Sequence, residues 1–337
     1  MTGTSDTEDT MFTYHGHLVY YLYRVEWRDH PPSEEELAQE LPEYKPGSPG
    51  SPGQGFTNLR PESETEKPRQ ISDEAWTEVQ NTFQQASFFR YHRESFSEVK
   101  VVDYEGRRKT AFQSKTQTAD IAVLSDDWLV IRGAKAIVDQ LVDHLQTAAG
   151  SILALSEVSI PPQFLLWLCY QYDEGRHSGL DLEPVQLTDA ELQGERDVFG
   201  QENIIQDSID ITRSPSFVVG LFQGNEIHRL EGVFGFEGVD LKLELETPNR
   251  VFAKVDTTLH SLADIHRFII TIRACEKALT TVSKWKEASP DEKYPPIGYF
   301  ENLREHLADR QGISFDLDTS HLYEKQQRLR EESSDTF

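Results

Sequence analysis

The sequence predicts an α+β protein in which antiparallel sheets are covered by helices, and three observations carry that expectation. A chain of 337 residues with 37% hydrophobic and 10% aromatic side chains can bury at least one sizeable core and is long enough for more than one domain. Residues 119–150 read as a hairpin followed by a helix with one apolar face. The same plan returns from Leu241 onward. Two copies suggest an internally duplicated hairpin-plus-helix unit, each sheet shielded on one side by its helix.

Taken in order, residues 1–10 form a polar, acidic tail, expected to be disordered and without the basic and apolar segments of an export signal. Met11 to Trp27 is aromatic and β-branched, which favours one or two strands, and His30-Pro31-Pro32 stops the pattern. Residues 33–70 are acidic and rich in Pro, Gly and Ser, the composition of a flexible insertion, with a short helix expected at Glu34 to Leu41 and a linker at Pro46 to Gly55. Ser72 can cap a helix in which Trp76, Val79 and Phe83 share a face, with Ile71 packing on Trp76 as a hydrophobic staple.

Ser97 to Tyr104 and Thr110 to Thr116 read as a hairpin closed by Glu105-Gly106-Arg107-Arg108. Ala119 to Leu124 and Trp128 to Ile131 form a second one around Ser125-Asp126-Asp127. Gly133 then leads into a helix carrying Ile137, Leu141 and Leu145 on one face, and Gly150 ends it. This unit, with Asp126-Asp127-Trp128 feeding Ile131-Arg132-Gly133-Ala134-Lys135 into its helix, resembles in topology the half-repeat of the TATA-binding protein saddle. The resemblance implies fold only, and the second unit departs from it, because Glu244 and Glu246 stand where a DNA-gripping sheet would carry Lys or Arg.

Between the units lie an apolar segment from Phe164 to Tyr170, an acidic stretch from Asp173 to Gln206, and strands expected near Ser208 to Thr212 and Phe217 to Phe222. Gly232, Gly235 and Gly238 mark bulges or turns of a meander rather than a phosphate cradle, since no Lys-Ser or Lys-Thr follows them. The second copy runs through Leu241 to Leu245, a turn at Thr247 to Arg250, and Val251 to Val255. Its helix begins after Ser261 with Leu262, Ile265, Ile269, Ile272, Leu279 and Val282 in one stripe, expected to cover the hairpin's inner face. Pro295-Pro296 breaks the chain before helices at Tyr299 to Arg310 and His321 to Glu332. The expected organisation is therefore a tail, an N-terminal unit 11–150, a second unit 151–290 and a helical extension 291–337.

The chain carries 58 Asp plus Glu against 33 Lys plus Arg, a formal charge of -25, and gathers its basic residues into no long run. That disfavours simple electrostatic capture of nucleic acid or of an anionic membrane. The excess of Arg over Lys, with two Cys and two Met, resembles proteins of salt-loving archaea. In molar salt the Debye length is about 3 Å, so charge on that reading reports habitat rather than partner. Cys169 and Cys275 sit in apolar stretches, which predicts buried thiols and a reducing cytoplasm. The longest apolar run, Phe164 to Tyr170, is far too short to span a bilayer.

Four groups of residues could carry chemistry. His15 and His17, two apart on a strand, would face the same way and could begin a zinc site, completed by His30 or a carboxylate. Asp316, Asp318 and His321 could hold a divalent ion, but the pattern favours an ordinary helix start with Asp318 or Ser320 as its cap. Glu231 followed by Asp240-Leu241-Lys242 has the shape of a metal-dependent nuclease core, two carboxylates for the ion and a Lys to steady the attacking water. The (Asp or Glu)-x-Lys tripeptide also starts at Glu43, Glu98 and Asp291, as chance allows in so acidic a chain. Finally, Arg107, Arg108 and Lys109 form a basic spot at a hairpin tip, with Lys100 and Lys115 on its strands and the aromatic run Phe88 to Arg93 upstream, residue types that neutralise phosphates and stack bases. No nucleophile elbow, Walker loop, dinucleotide fingerprint or paired Cys-x-x-Cys occurs, and no cofactor is indicated. The sequence thus favours a cytoplasmic binding or assembly module meeting a protein or nucleic acid, with a metal-dependent hydrolase such as a nuclease as the alternative.

Overall fold

The computed structural model describes residues 18–59, 67, 71–124, 127–194, 202–254, 264–311 and 320–334. It is an α+β protein whose strand pairs of known register are antiparallel. The chain divides into two compact units, the first drawn from Met1–Pro68, Val79–Ser156 and Leu262–Ile272, the second from Arg69–Glu78, Glu157–Ser261 and Arg273–Phe337.

The first unit contains β1 (Leu18–Trp27), α1 (Glu34–Glu40), β2 (Gln54–Asn58), β3 (Ser87–Val102), β4 (Arg108–Leu124), β5 (Trp128–Arg132), α3 (Lys135–Ala149) and β6 (Leu153–Glu157); α2 (Asp73–Gln85) precedes β3. Its strands run in the order β2-β3-β4-β5-β1, with β6 also on β1. Register places Tyr21, Phe89, Ile121 and Ile131 on one face, where they share a core with Ile137, Leu141 and Leu145 of α3. The alternate residues Tyr20, Leu22, Phe88, Ala122 and Val130 are buried on the other face. Apolar side chains at both parities make a strand that must be covered twice. The second cover is the first half of a helix at Asp264–Glu287, numbered α6 below: Phe268 meets the Phe88 ring edge-on at 5.8 Å, and Thr271 hydrogen-bonds the Tyr20 hydroxyl. The expectation that this helix would shield the hairpin just before it is thus corrected for its first half. On the same face Asp120 is buried between Arg90, whose Nε donates to it at 2.6 Å, and Arg132, whose guanidinium lies 4.7 Å from the Phe268 ring centroid.

Residues 33–70, expected as a flexible insertion, carry structure through Leu59. Ser33 and Glu36 cap α1 reciprocally, and the cap hydrogen bonds hold the Glu36 carboxyl below its ordinary range. Leu37, Leu41 and Phe56 join the core, and β2 pairs with β3. The Pro-Gly-Ser loop between them is fastened by Glu94 of β3. Its Oε1 accepts the Tyr44 hydroxyl at 2.8 Å, and its Oε2 accepts the Gly47 and Gly53 amides at 2.7 and 2.9 Å.

The second unit contains α4 (Pro162–Asp173), β7 (Glu183–Gln193), β8 (Glu202–Ile205), a 3-10 turn (Ile211–Arg213), α5 (Pro215–Phe222), β9 (Glu226–Phe236), β10 (Val239–Glu246), β11 (Arg250–Ala253), the rest of α6, α7 (Pro290–Lys293), α8 (Ile297–Gln311) and α9 (Ser320–Ser334). Its strands run β11-β10-β9-β7-β8, and Leu230, Phe234, Leu241, Leu243 and Leu245 form a buried face with α4 against β9 and β7. Glu237 and Gly238 close β9 onto β10 with φ of 49° and 77°, the two left-handed residues of a tight hairpin turn. A side chain at Gly232 would lie 2.2 Å from the Gln186 carbonyl, where β7 bulges. Turn and bulge are what the glycine spacing predicts.

The strands expected near Ser208 to Thr212 and Phe217 to Phe222 are instead the 3-10 turn and α5. Asp210 caps the turn by accepting the Thr212 amide, and Pro215 supplies a preset φ at the first position of α5. Because α5 is buried nearly all round, its residues show no helical period to oppose the strand propensity of Val218 and Val219.

Candidate functional site

The hairpin expected at 97–116 is far longer than its sequence signals. β3 has 16 residues and β4 has 17, and they pair without interruption from Ser87↔Val123 to Val102↔Arg108. Nothing between Thr116 and Ala119 breaks the extended backbone, so two expected strands are one. β2 flanks β3 only along Phe89 to Arg93, and β5 flanks β4 only along Asp120 to Leu124. Beyond those limits the hairpin is a two-stranded arm with no neighbouring strand on either edge among the described residues. At about 3.3 Å per residue its free part, Ser95–Val102 with Arg108–Lys115, is roughly 26 Å long.

Register sorts the arm into two faces. Val99, Val101, Lys109, Ala111, Gln113 and Lys115 lie on one, and Phe96, Lys100, Val102, Arg108 and Phe112 on the other. Val102, Tyr104 and Phe112 are 65%, 95% and 54% exposed, large apolar side chains displayed to solvent by the arm. At the tip Asp103 accepts the Glu105 and Arg107 amides through Oδ1, and Lys109 Nζ lies 2.7 Å from Oδ2. The Lys109 ammonium first, then these amides, hold the Asp103 carboxyl below its ordinary range. Arg107 pairs with Glu105 at 2.9 Å. Two of the three basic tip residues thus face local acids, while Arg108 and Lys115 are exposed.

Glu231, Asp240 and Lys242 lie on one face of the second unit's sheet, opposite its apolar face. Register sets Glu231 across from Glu244, Val233 across from Lys242 and Gly235 across from Asp240. Glu231 is buried with one oxygen 3.0 Å from Lys242 Nζ and the other bound by Lys254 Nζ. Its hydrogen bond, foremost, raises the Lys242 pKa. Glu244, also buried, has its pKa raised by burial first, against the pull of Arg229, and further by Glu231 beside it. Asp240 is exposed and four register positions along the strands from Glu231. The structure therefore joins Glu231 to Lys242 and leaves Asp240 apart. It adds two residues the sequence reading missed: Glu244, which shares the parity of Lys242 on β10, and Lys254, for which no local signal exists.

His15, His17, Asp316 and Asp318 fall outside the described residues, as does the side chain of His321. Among the described residues no three His, Cys, Asp or Glu side chains converge as metal ligands. Cys169 and Cys275 are buried, and burial pushes both thiols far above their ordinary range, which disfavours the reactive thiolate. The second unit also has a polar cleft of about 830 Å³ that includes His228, Lys325 and Arg328, with Lys325 paired to Glu226 at 2.7 Å. No described helix is long and apolar enough to cross a membrane.

Compared with known proteins, the chain matches no family model and no curated protein.

Proposed function

We propose that this chain is a macromolecular binding or assembly module that meets its partner with the β3–β4 arm. The observation carrying this reading is the arm itself: strands well beyond the usual 3–10 residues whose outer part has no flanking strand among the described residues, displaying Val102, Tyr104 and Phe112 to solvent. A ribbon of that kind adds little to its own unit's core, so its exposed apolar and basic side chains are free to contact another molecule. Replacing Arg107, Arg108 and Lys109 together by Ala tests the nucleic-acid version. Affinity for a short duplex should fall and its salt dependence should weaken; unchanged affinity ends that version.

A second reading, metal-dependent hydrolysis at Glu231, Asp240 and Lys242, draws support from their shared face. The two lysines on Glu231 compete with any cation there. Hydrolysis of nucleic acid in molar KCl with Mg or Mn, abolished in Asp240→Ala, is the outcome it requires; activity retained in that variant ends the residue assignment.

A further inference from the structure

We infer that the arm's partner is an acidic, extended polypeptide segment that adds as a third strand along the outer edge of β4; this rests on the reading that the arm is the binding element. From Arg107 to Ala119 the chain has four basic residues and no Asp or Glu, although the whole sequence holds 58 acids. That acid-free run coincides with the part of β4 that has no strand beside it among the described residues. The open edge of β3 differs, because Glu98 sits along it. An unpaired strand edge is a row of N–H and C=O groups that templates another strand, and main-chain hydrogen bonds give such additions much of their affinity.

Side-chain alternation then sets the chemistry of the added strand. Carboxylates opposite Lys109 and Lys115 would lie on one face, about 20 Å apart at 3.3 Å per residue, and one opposite Arg108 would lie on the other. Lys109 can serve both Asp103 and an incoming carboxylate, since an ammonium has three donors. An apolar residue facing Phe112 would cover part of its exposed ring. The free part of the arm, roughly 26 Å long, reaches beyond the Debye length of about 8 Å in physiological salt, so a short acidic strand at its end is screened from the acidic body. A nucleic-acid duplex carries a charge every 1.7 Å or so and would extend that repulsion along its length. Among the tip cations, Arg107 and Lys109 already face acids.

The test uses the full chain and a labelled alternating Glu-Val peptide in physiological salt, with alternating Lys-Val and backbone N-methylated Glu-Val peptides as controls. Fluorescence anisotropy should show binding of the Glu-Val peptide alone, and amide hydrogen exchange should slow along 108–118. Arg108→Glu with Lys115→Glu, at two exposed positions, should weaken binding about tenfold while leaving the melting temperature in place. Binding without protection of β4, or indifferent to the charge reversal or to N-methylation, overturns the inference. Binding of a short DNA duplex through Arg107, Arg108 and Lys109, with no peptide binding, overturns the inference and leaves the arm as the binding element. If neither ligand binds, both readings fall.

Discussion

Glu94 shows how one side chain decides the fate of a segment. Its carboxylate collects the Tyr44 hydroxyl and two glycine amides, and these three donors, the hydroxyl foremost, hold its pKa below the ordinary value. Asp103 is held down in the same direction at the tip. A depressed folded-state carboxyl contributes stability that is present above its unfolded pKa and lost as pH falls through the folded value. Acidification should therefore loosen the 44–53 loop and the arm tip ahead of the core. Hydrogen exchange at Gly47, Gly53 and Arg107 followed from pH 6 downward measures this, and amides that stay protected until global unfolding would contradict it. Glu94→Ala should abolish the pH dependence at the two glycines. Glu244 acts with opposite sign: its raised pKa means that the folded state holds the proton more tightly, so its contribution is present below the unfolded value and is lost as pH rises through the raised folded value.

Arg273 in α6 is a second residue-scale node. It donates to both Glu237 oxygens, with Nε at 3.1 Å, and to Glu276 at 2.7 Å, while Lys277 also reaches Glu237 at 2.7 Å. Truncating one partner of a largely buried ionic cluster leaves the others uncompensated. Arg273→Ala should cost about 2 kcal/mol, less than a fully buried pair because the acids are partly solvated. Denaturant titration measures it, and a change within experimental error would show that water replaces the guanidinium.

At the scale of elements, the arm and the loop beside it make opposite demands. Phe56 lies at the centre of β2 and is buried in the first unit's core, so Phe56→Ala should destabilise by about 3–5 kcal/mol. Val102, Tyr104 and Phe112 are exposed, so replacing all three by Ser should change stability by less than roughly 0.5 kcal/mol per site while removing whatever the arm binds. A cooperative loss of stability in the triple variant would mean that the arm is packed rather than displayed. Legibility follows the same division. The hairpin at 119–131 is readable as two apolar runs around a polar turn and α3 from its helical period, whereas β7 is not: its buried residues Pro184, Leu187, Ala190 and Leu192 are spaced three, three and two apart by bulges. β2 is hidden because Phe56 is the one apolar side chain in a run set among Pro and Gly.

At the scale of the whole molecule, the -25 charge acts on every part of the chain at once. If it reflects adaptation to salt, self-repulsion of the folded chain falls as ionic strength rises, and the melting temperature should climb from low-salt buffer to molar KCl. A flat or falling curve would remove the habitat reading. Peptide binding to the arm should weaken over the same range.

Local sequence determined the α+β class, the limits of α1 and α3, the β9–β10 turn and the basic spot, because periodicity and turn chemistry act over a few residues. Tertiary structure alone decided the long-range contacts. Lys254 reaches Glu231 across 23 positions of sequence, and Glu94 reaches Gly47 across 47. Thr271 of α6 meets Tyr20 across 251. The open edge of the arm is of the same kind. A strand's own residues state which side chains prefer burial, but whether a neighbour flanks its backbone depends on segments brought together by folding, and no local pattern encodes their absence.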